Sequence, residues 1–163
     1  LVCEDPYSLD EPHPDHRVVA WAAYEAANFS YLTTVHPNHF DEGLQPHYVP
    51  EKYFYSRNPQ RINRVMDITD GFEGKITALL EHKSQIAFLM EDVFRQARMA
   101  GINFQNKIGP EASDPAAIFR WIMRRQAAEA GHPAGLALGE AFHYERFSPM
   151  VEDVLKQPDR EVS

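Results

Sequence analysis

Two imidazoles and a carboxylate fall within four consecutive residues, His13-Pro14-Asp15-His16. Neutral imidazole is the commonest metal ligand and also the usual proton donor or acceptor near neutral pH, so one ring can hold a metal while its neighbour handles a proton. A hydrolytic zinc needs about three protein ligands, and this motif supplies one or two. Left at that, His13 and His16 are either helix-capping or surface histidines or the beginning of a metal site. A similar string, His36-Pro37-Asn38-His39, follows twenty residues or so later, with His47 beyond it. Three histidines in an unpatterned stretch are more often solvated than ligating; an alternative lets His36 and His39 join His13 and His16 around one metal.

The motif needs a scaffold on either side. Leu1-Val2-Cys3 is a short apolar run passing at once into an Asp-, Pro- and His-rich loop, which reads as the end of a buried strand whose upstream part lies outside the sequence. From His16 the positions Val19, Ala22, Ala23, Ala26 and Ala27 recur at helical spacing, with Pro14 and Asp15 as start signals and Asn28-Phe29-Ser30 as a stop. The histidines therefore sit at the N-terminus of a helix that follows a strand. Residues 33–50 contain three prolines, three histidines and a glycine without a period, and read as a long loop.

Beyond the loop, Lys52-Tyr53-Phe54-Tyr55 and Arg64 to Ile68 predict two strands bracketing an Asn58-Pro59 turn. Asp70 and Glu73 form a capping-box pattern ahead of a helical stripe of Phe72, Ile76, Leu79 and Leu80, with His82 as a C-terminal cap. A second helix is expected from Ile86 to Ala100, closed by Gly101. A third should start at an Asp114 cap with Pro115 at its first position and stop at Gly131. Arg120, Arg124 and Arg125 beside Trp121 read as a solvated basic face. Tyr7, Trp21, Tyr53 and Phe54 could stack on a sugar, but aromatic residues in such elements are usually core. The segment from Leu136 to Leu155 is too aromatic to be free and should pack on the body.

Composition narrows the class. A chain of 163 residues fits one domain and can bury roughly 70% of its unfolded surface. With 24 Asp and Glu against 16 Lys and Arg the net charge is -8, which disfavours nucleic acid as a partner. A lone Cys3 offers no disulfide framework and fits a reducing compartment, so cytoplasm is the default expectation. The longest apolar run, Val18 to Tyr24, is too short for a membrane span.

Taken in order, Asp5-Pro6, His13-Pro14-Asp15-His16-Arg17, Glu42-Gly43-Leu44, Pro46-His47, Asp67-Ile68-Thr69-Asp70 and His82-Lys83-Ser84-Gln85 resemble the downstream half of the LmbE/PIG-L family of zinc-dependent deacetylases. Glu140-Ala141-Phe142 resembles that family's closing segment, so the likeness spans about residues 4 to 147. It implies a Rossmann-like α/β fold, of which this chain is the C-terminal portion. The implied activity is hydrolysis of an N-acetyl group from an amino sugar or its conjugate, using zinc or another divalent metal. By the same resemblance His16 is the third zinc ligand, His13 polarises the amide oxygen or donates a proton, and Asp15 is its orienting neighbour or a carboxylate supporting the metal ligands from behind. His82 would belong to the supporting surroundings of the site. The family's upstream His-Pro-Asp-Asp motif, which carries the other ligands and the water-activating carboxylate, does not occur in this sequence. The expected partners are thus an N-acetylated amino-sugar substrate, that upstream segment and, since the string from Asp5 to His13 looks closest to the chito-oligosaccharide branch, further copies in a homo-oligomer. The competing expectation is a non-catalytic domain in which the half-motif serves as a structural metal site or a binding surface.

Overall fold

In a computed structural model, residues 1–58 and 60–157 are described. The polar loop delivers short strands and amphipathic helices in the order β1 (Val2–Glu4), α1 (Pro14–Phe29), α2 (Pro37–Asp41), β2 (Lys52–Tyr55), β3 (Arg64–Asp67), α3 (Phe72–Leu80), α4 (Lys83–Met99), α5 (Gln105–Ile108), α6 (Pro115–Gly131), β4 (Gly139–Glu145) and α7 (Pro149–Leu155). The four strands form one mixed sheet in the order β1-β2-β4-β3. Strands β1 and β2 run parallel with Cys3 opposite Phe54, as expected of an apolar strand followed by a helix; β2 and β4 run antiparallel with Phe54 opposite His143. The sequence expectation of an α/β fold therefore holds.

The chain divides into two compact units, residues 1–64 with 141 onward, and residues 65–140. The first is built where β1 and β2 meet α1: Cys3, Ala20, Ala27, Phe54 and Phe142 are buried. Single-atom and small side chains on that face of α1 let the helix lie close to the sheet. The second unit is helical, with Phe72, Ile76, Met90, Ile118, Phe119, Ala127 and Leu138 in one apolar cluster. In it the end of α6 crosses the start of β4 so closely that a Cβ on Gly139 would lie 2.6 Å from the Gly131 Cα. Both glycines are required by that approach.

Helices α1 and α6 begin as the sequence predicts. Asp114 accepts the Ala116 N–H at 3.0 Å and Pro115 occupies the first turn, where its missing N–H costs nothing. Four expectations change. The Asp70/Glu73 capping box does not form: the N-cap of α3 is Gly71, the strand exit is instead held by Asp67, whose Oδ1 accepts from the Thr69 N–H at 2.9 Å and hydroxyl at 2.6 Å, and Glu73 pairs with Arg120. His82 does not cap α3 but occupies the N-cap position of α4, because the second helix starts at Lys83, three residues earlier than its apolar stripe suggests. The loop of residues 33–50 contains a single helical turn, α2, and Leu136 to Leu155 carries β4, which lies inside the sheet instead of packing on it. In the expected Asn58-Pro59 turn, Pro59 lies outside the described residues; β2 and β3 are separated in the sheet by β4.

Candidate functional site

The site is built on the loop that leaves β1. Asp5, 7% exposed, anchors the exit: its N–H donates to the Tyr55 carbonyl at 2.7 Å and its Oδ1 accepts the Tyr7 N–H at 2.9 Å. Arg61 lies 3.5 Å from the same carboxylate oxygen and covers the Tyr7 ring at 4.8 Å. Farther along, the Arg17 guanidinium reaches back from α1 and donates through Nη1 to the carbonyls of Glu11 at 2.9 Å and Pro12 at 2.8 Å. A loop with so many polar backbone groups needs such partners to hold one shape.

His13 is the N-cap of α1. Its Nδ1 accepts the Asp15 N–H at 3.2 Å, so a neutral ring held this way carries its proton on Nε2. His16 is three residues on, where the next turn brings it over the first ring; the two imidazoles stack with centroids 4.6 Å apart and planes 24° from parallel. Their side chains are 53% and 57% exposed. The Asp15 carboxylate, 83% exposed and 4.0 Å from His13 Nδ1, is too far to bond it, so what touches that ring is the Asp15 backbone. Its charge still favours the first turn of the helix.

Two residues that the motif alone does not single out complete the cluster. Glu11 Oε1 accepts the His13 N–H at 2.8 Å and lies 3.2 Å from His16 Nδ1. Glu4, at the end of β1, brings a second carboxylate: single donor atoms of Glu4, Glu11 and His16 all lie within 4.8 Å of one another, the one such trio of His, Cys, Asp or Glu among the described residues. The hydrogen bond from the His13 N–H holds the Glu11 carboxyl below the usual range, with His16 adding to the effect, whereas burial and then the Glu11 charge push Glu4 up. A desolvated carboxylate beside a second one is relieved by a cation, and the set of one imidazole and two carboxylates has the chemistry of a divalent-metal site. The residues present fit a metal in part: His16 could offer one nitrogen, with Glu11 3.2 Å from its Nδ1 and Glu4 close by.

The remaining candidates lie elsewhere. His36 and His39 repeat the stacked geometry at the start of α2, 5.1 Å apart, but are exposed and do not join His13 and His16. His47 is tied through its backbone, its N–H donating to the Ser30 carbonyl at 3.2 Å and its carbonyl accepting the Ser30 hydroxyl at 2.7 Å. Phe54 is core; Tyr7 and Trp21 meet edge to face at 5.0 Å and keep 45% and 41% of their surface exposed, forming an aromatic wall with Tyr24. The Tyr24 phenol is pushed up to about 12, first by its hydrogen bond with Tyr7 and then by burial. In the helical unit Arg120 pairs with Glu73, Arg125 pairs with Glu129 at 2.8 Å, and Arg124 lies over Phe72, so the basic face is satisfied internally.

Comparison with known proteins agrees with the resemblance read from the motifs. The chain is 34% identical over 95 residues to the diacetylchitobiose deacetylase of Thermococcus kodakarensis, a match covering 58% of this chain and 33% of that protein. The structure of N,N'-diacetylchitobiose deacetylase from Pyrococcus horikoshii, complexed with its inhibitor MPG, matches with a TM-score of 0.61 at 26% identity, covering 89% of this chain and 45% of that one. The chain thus spans a third to under half of the length of these relatives. No family model matches it. Among the described residues no helix is long and apolar enough to cross a membrane.

Proposed function

We propose that this chain carries the downstream half of the active centre of a metal-dependent hydrolase that removes an acetyl group from the nitrogen of an amino sugar or its conjugate, with N,N'-diacetylchitobiose as the first substrate to test. The observation that carries the reading is the paired presentation of two differently committed imidazoles: His13 is pinned through Nδ1 and presents Nε2–H, while His16 has its Nδ1 at Glu11 and presents its other nitrogen. His16 would be one ligand of a zinc or other divalent ion, with the remaining ligands and a base supplied by a His-Pro-Asp-Asp segment outside this sequence. Such an ion, when bound, polarises an amide carbonyl and acidifies water.

The protein's own groups do the rest. Nε2–H of His13 donates to the oxygen that becomes negative as the amide carbon turns tetrahedral, a donor held in place before charge develops. His13 keeps its proton throughout, and the leaving amine takes the one that the attacking water gives up to the base. Asp15 serves His13 through its N–H, and the half-exposed Tyr7 and Trp21, set edge to face, each leave apolar ring surface against which a sugar can pack. Both compact units belong, on this reading, to one catalytic domain in a homo-oligomer of the cytoplasm, and the chain without its upstream partner segment is inactive.

The test is acetate release from N,N'-diacetylchitobiose and a panel of N-acetylglucosamine conjugates by the full-length, metal-loaded protein. Hydrolysis supports the reading. Stoichiometric metal uptake without acetate release from any of them favours a structural metal site and refutes it.

A further inference from the structure

We propose that Glu11 is the positioning residue of the histidine pair: its buried carboxylate holds His13 through the main chain and His16 through Nδ1, so that the two rings present their Nε2 atoms side by side. The proposal rests on the reading of His16 as a metal ligand and deepens it. Nothing in the His-Pro-Asp-His motif names this residue; the only carboxylate inside the motif, Asp15, points into solvent.

Burial separates the roles. The Glu11 side chain is 6% exposed and the His16 side chain 57%, so the carboxylate lies behind the ring and the free edge of the ring lies in front. The oxygen that faces His16, Oε1, is the same atom that accepts the His13 N–H at 2.8 Å, and the Glu11 backbone is pinned in turn by Arg17 at 2.9 Å. An oxygen already satisfied on the inner side of the loop is badly placed to ligate an ion at the outer edge and well placed to accept a hydrogen bond from Nδ1–H. Metal-ligating histidines ordinarily donate their other ring N–H to such a carboxylate, which fixes the tautomer and makes the ligating nitrogen more basic. One side chain therefore sets the backbone of the proton donor and the tautomer of the ligand together.

The experiment uses the full-length protein and zinc as the probe, with affinity measured by competition against a chromophoric chelator. In parallel, long-range proton–nitrogen correlation on the metal-free, nitrogen-15 histidine-labelled protein reads the tautomer of each ring. Wild type should show His16 protonated on Nδ1 and His13 on Nε2. Glu11→Ala should weaken zinc binding by about 10–100-fold and scramble the His16 tautomer. Glu11→Gln, which keeps an acceptor oxygen, should retain most of the affinity and the tautomer, a rescue that a merely space-filling role would not distinguish from Glu11→Leu. If the alanine variant does not fold, the glutamine and leucine pair carries the comparison. The proposal is overturned if Glu11→Gln loses zinc as completely as His16→Ala, which makes Glu11 a ligand, or if Glu11→Ala changes neither affinity nor tautomer. Zinc binding untouched by His16→Ala overturns the metal reading itself, an outcome separable from the other two.

Discussion

His13 has two jobs that a single alanine substitution would confound, and the structure shows how to part them. As N-cap of α1 it accepts the Asp15 N–H at 3.2 Å, and as the proposed oxyanion donor it presents Nε2–H beside His16. Loss of an N-cap acceptor costs about 1 kcal/mol, within a range of roughly 0.5–2. For a chain of this size that corresponds to a fall in Tm of about 2–4 °C. Loss of a preorganised oxyanion donor costs roughly 2.7–4 kcal/mol in the barrier, or about 10²–10³ in turnover. His13→Asn removes the imidazole but supplies an amide oxygen of nearly the same reach, and asparagine is among the best N-caps. Expected, then, is a Tm for His13→Asn within about 1 °C of wild type and a lower one for His13→Ala. Both variants should keep their metal and lose turnover by the same large factor. Initial rates of acetate release at saturating substrate, metal content by atomic emission and thermal melts measure all three quantities. Recovery of turnover in His13→Asn along with stability would reduce His13 to a cap, and metal loss equal to that of His16→Ala would show that the roles of the two rings are misassigned.

Three further outcomes follow from other contacts. Glu4 is held above its ordinary value of 4.5, so its favourable contribution is complete below that pH and is lost as pH rises through the higher folded value; Glu4→Gln should therefore raise the Tm of metal-free protein at pH 7 and give no gain at pH 4, and a lower Tm at pH 7 would contradict this. Tyr7→Phe removes the main cause of the elevated Tyr24 ionisation, so the phenolate absorbance near 295 nm should develop at lower pH than in the wild type, where that group titrates at about 12; an unchanged profile would sink the assignment. Gly139→Ala drives a methyl into the Gly131 backbone, which neither chain segment can yield cheaply, and should cost at least about 1–3 kcal/mol in a denaturant melt; a neutral effect would mean the crossing is looser than described.

What the sequence makes legible is what is encoded locally. The start of α6 is written in Asp114-Pro115 and that of α1 in His13-Pro14, because a cap and a proline at the first position act through backbone atoms only two or three residues away. For the same reason the pairing of His13 with His16 is legible: the N-cap and the third helical residue share a face wherever a helix starts. Strand β4 is not, since it is paired on both sides and only Gly139 and Phe142 among its seven residues are fully buried, leaving no alternation to read. Glu73 is misread because its partner, Arg120, comes from a helix 47 residues away. Glu11 is invisible for a related reason: a loop glutamate flanked by Asp10 and Pro12 looks solvated, and both its burial and the hold of Arg17 on its carbonyl arise only in the folded loop.

The helical unit enters through β3 and leaves through β4, where the Ile68 N–H donates to the Leu138 carbonyl at 3.1 Å. Residues 65–140 are in topological terms a cassette, a self-contained stretch whose two ends adjoin. Insertions or replacements inside such a stretch leave the separation of its ends, and hence the closure entropy imposed on the rest of the chain, almost unchanged. Variation can therefore accumulate in α3 to α6 while Asp5, Glu11, His13 and His16 stay under constraints of their own. Two parts of one polypeptide can then evolve at different rates, because changes inside residues 65–140 leave the loop between β1 and α1 with its own anchors.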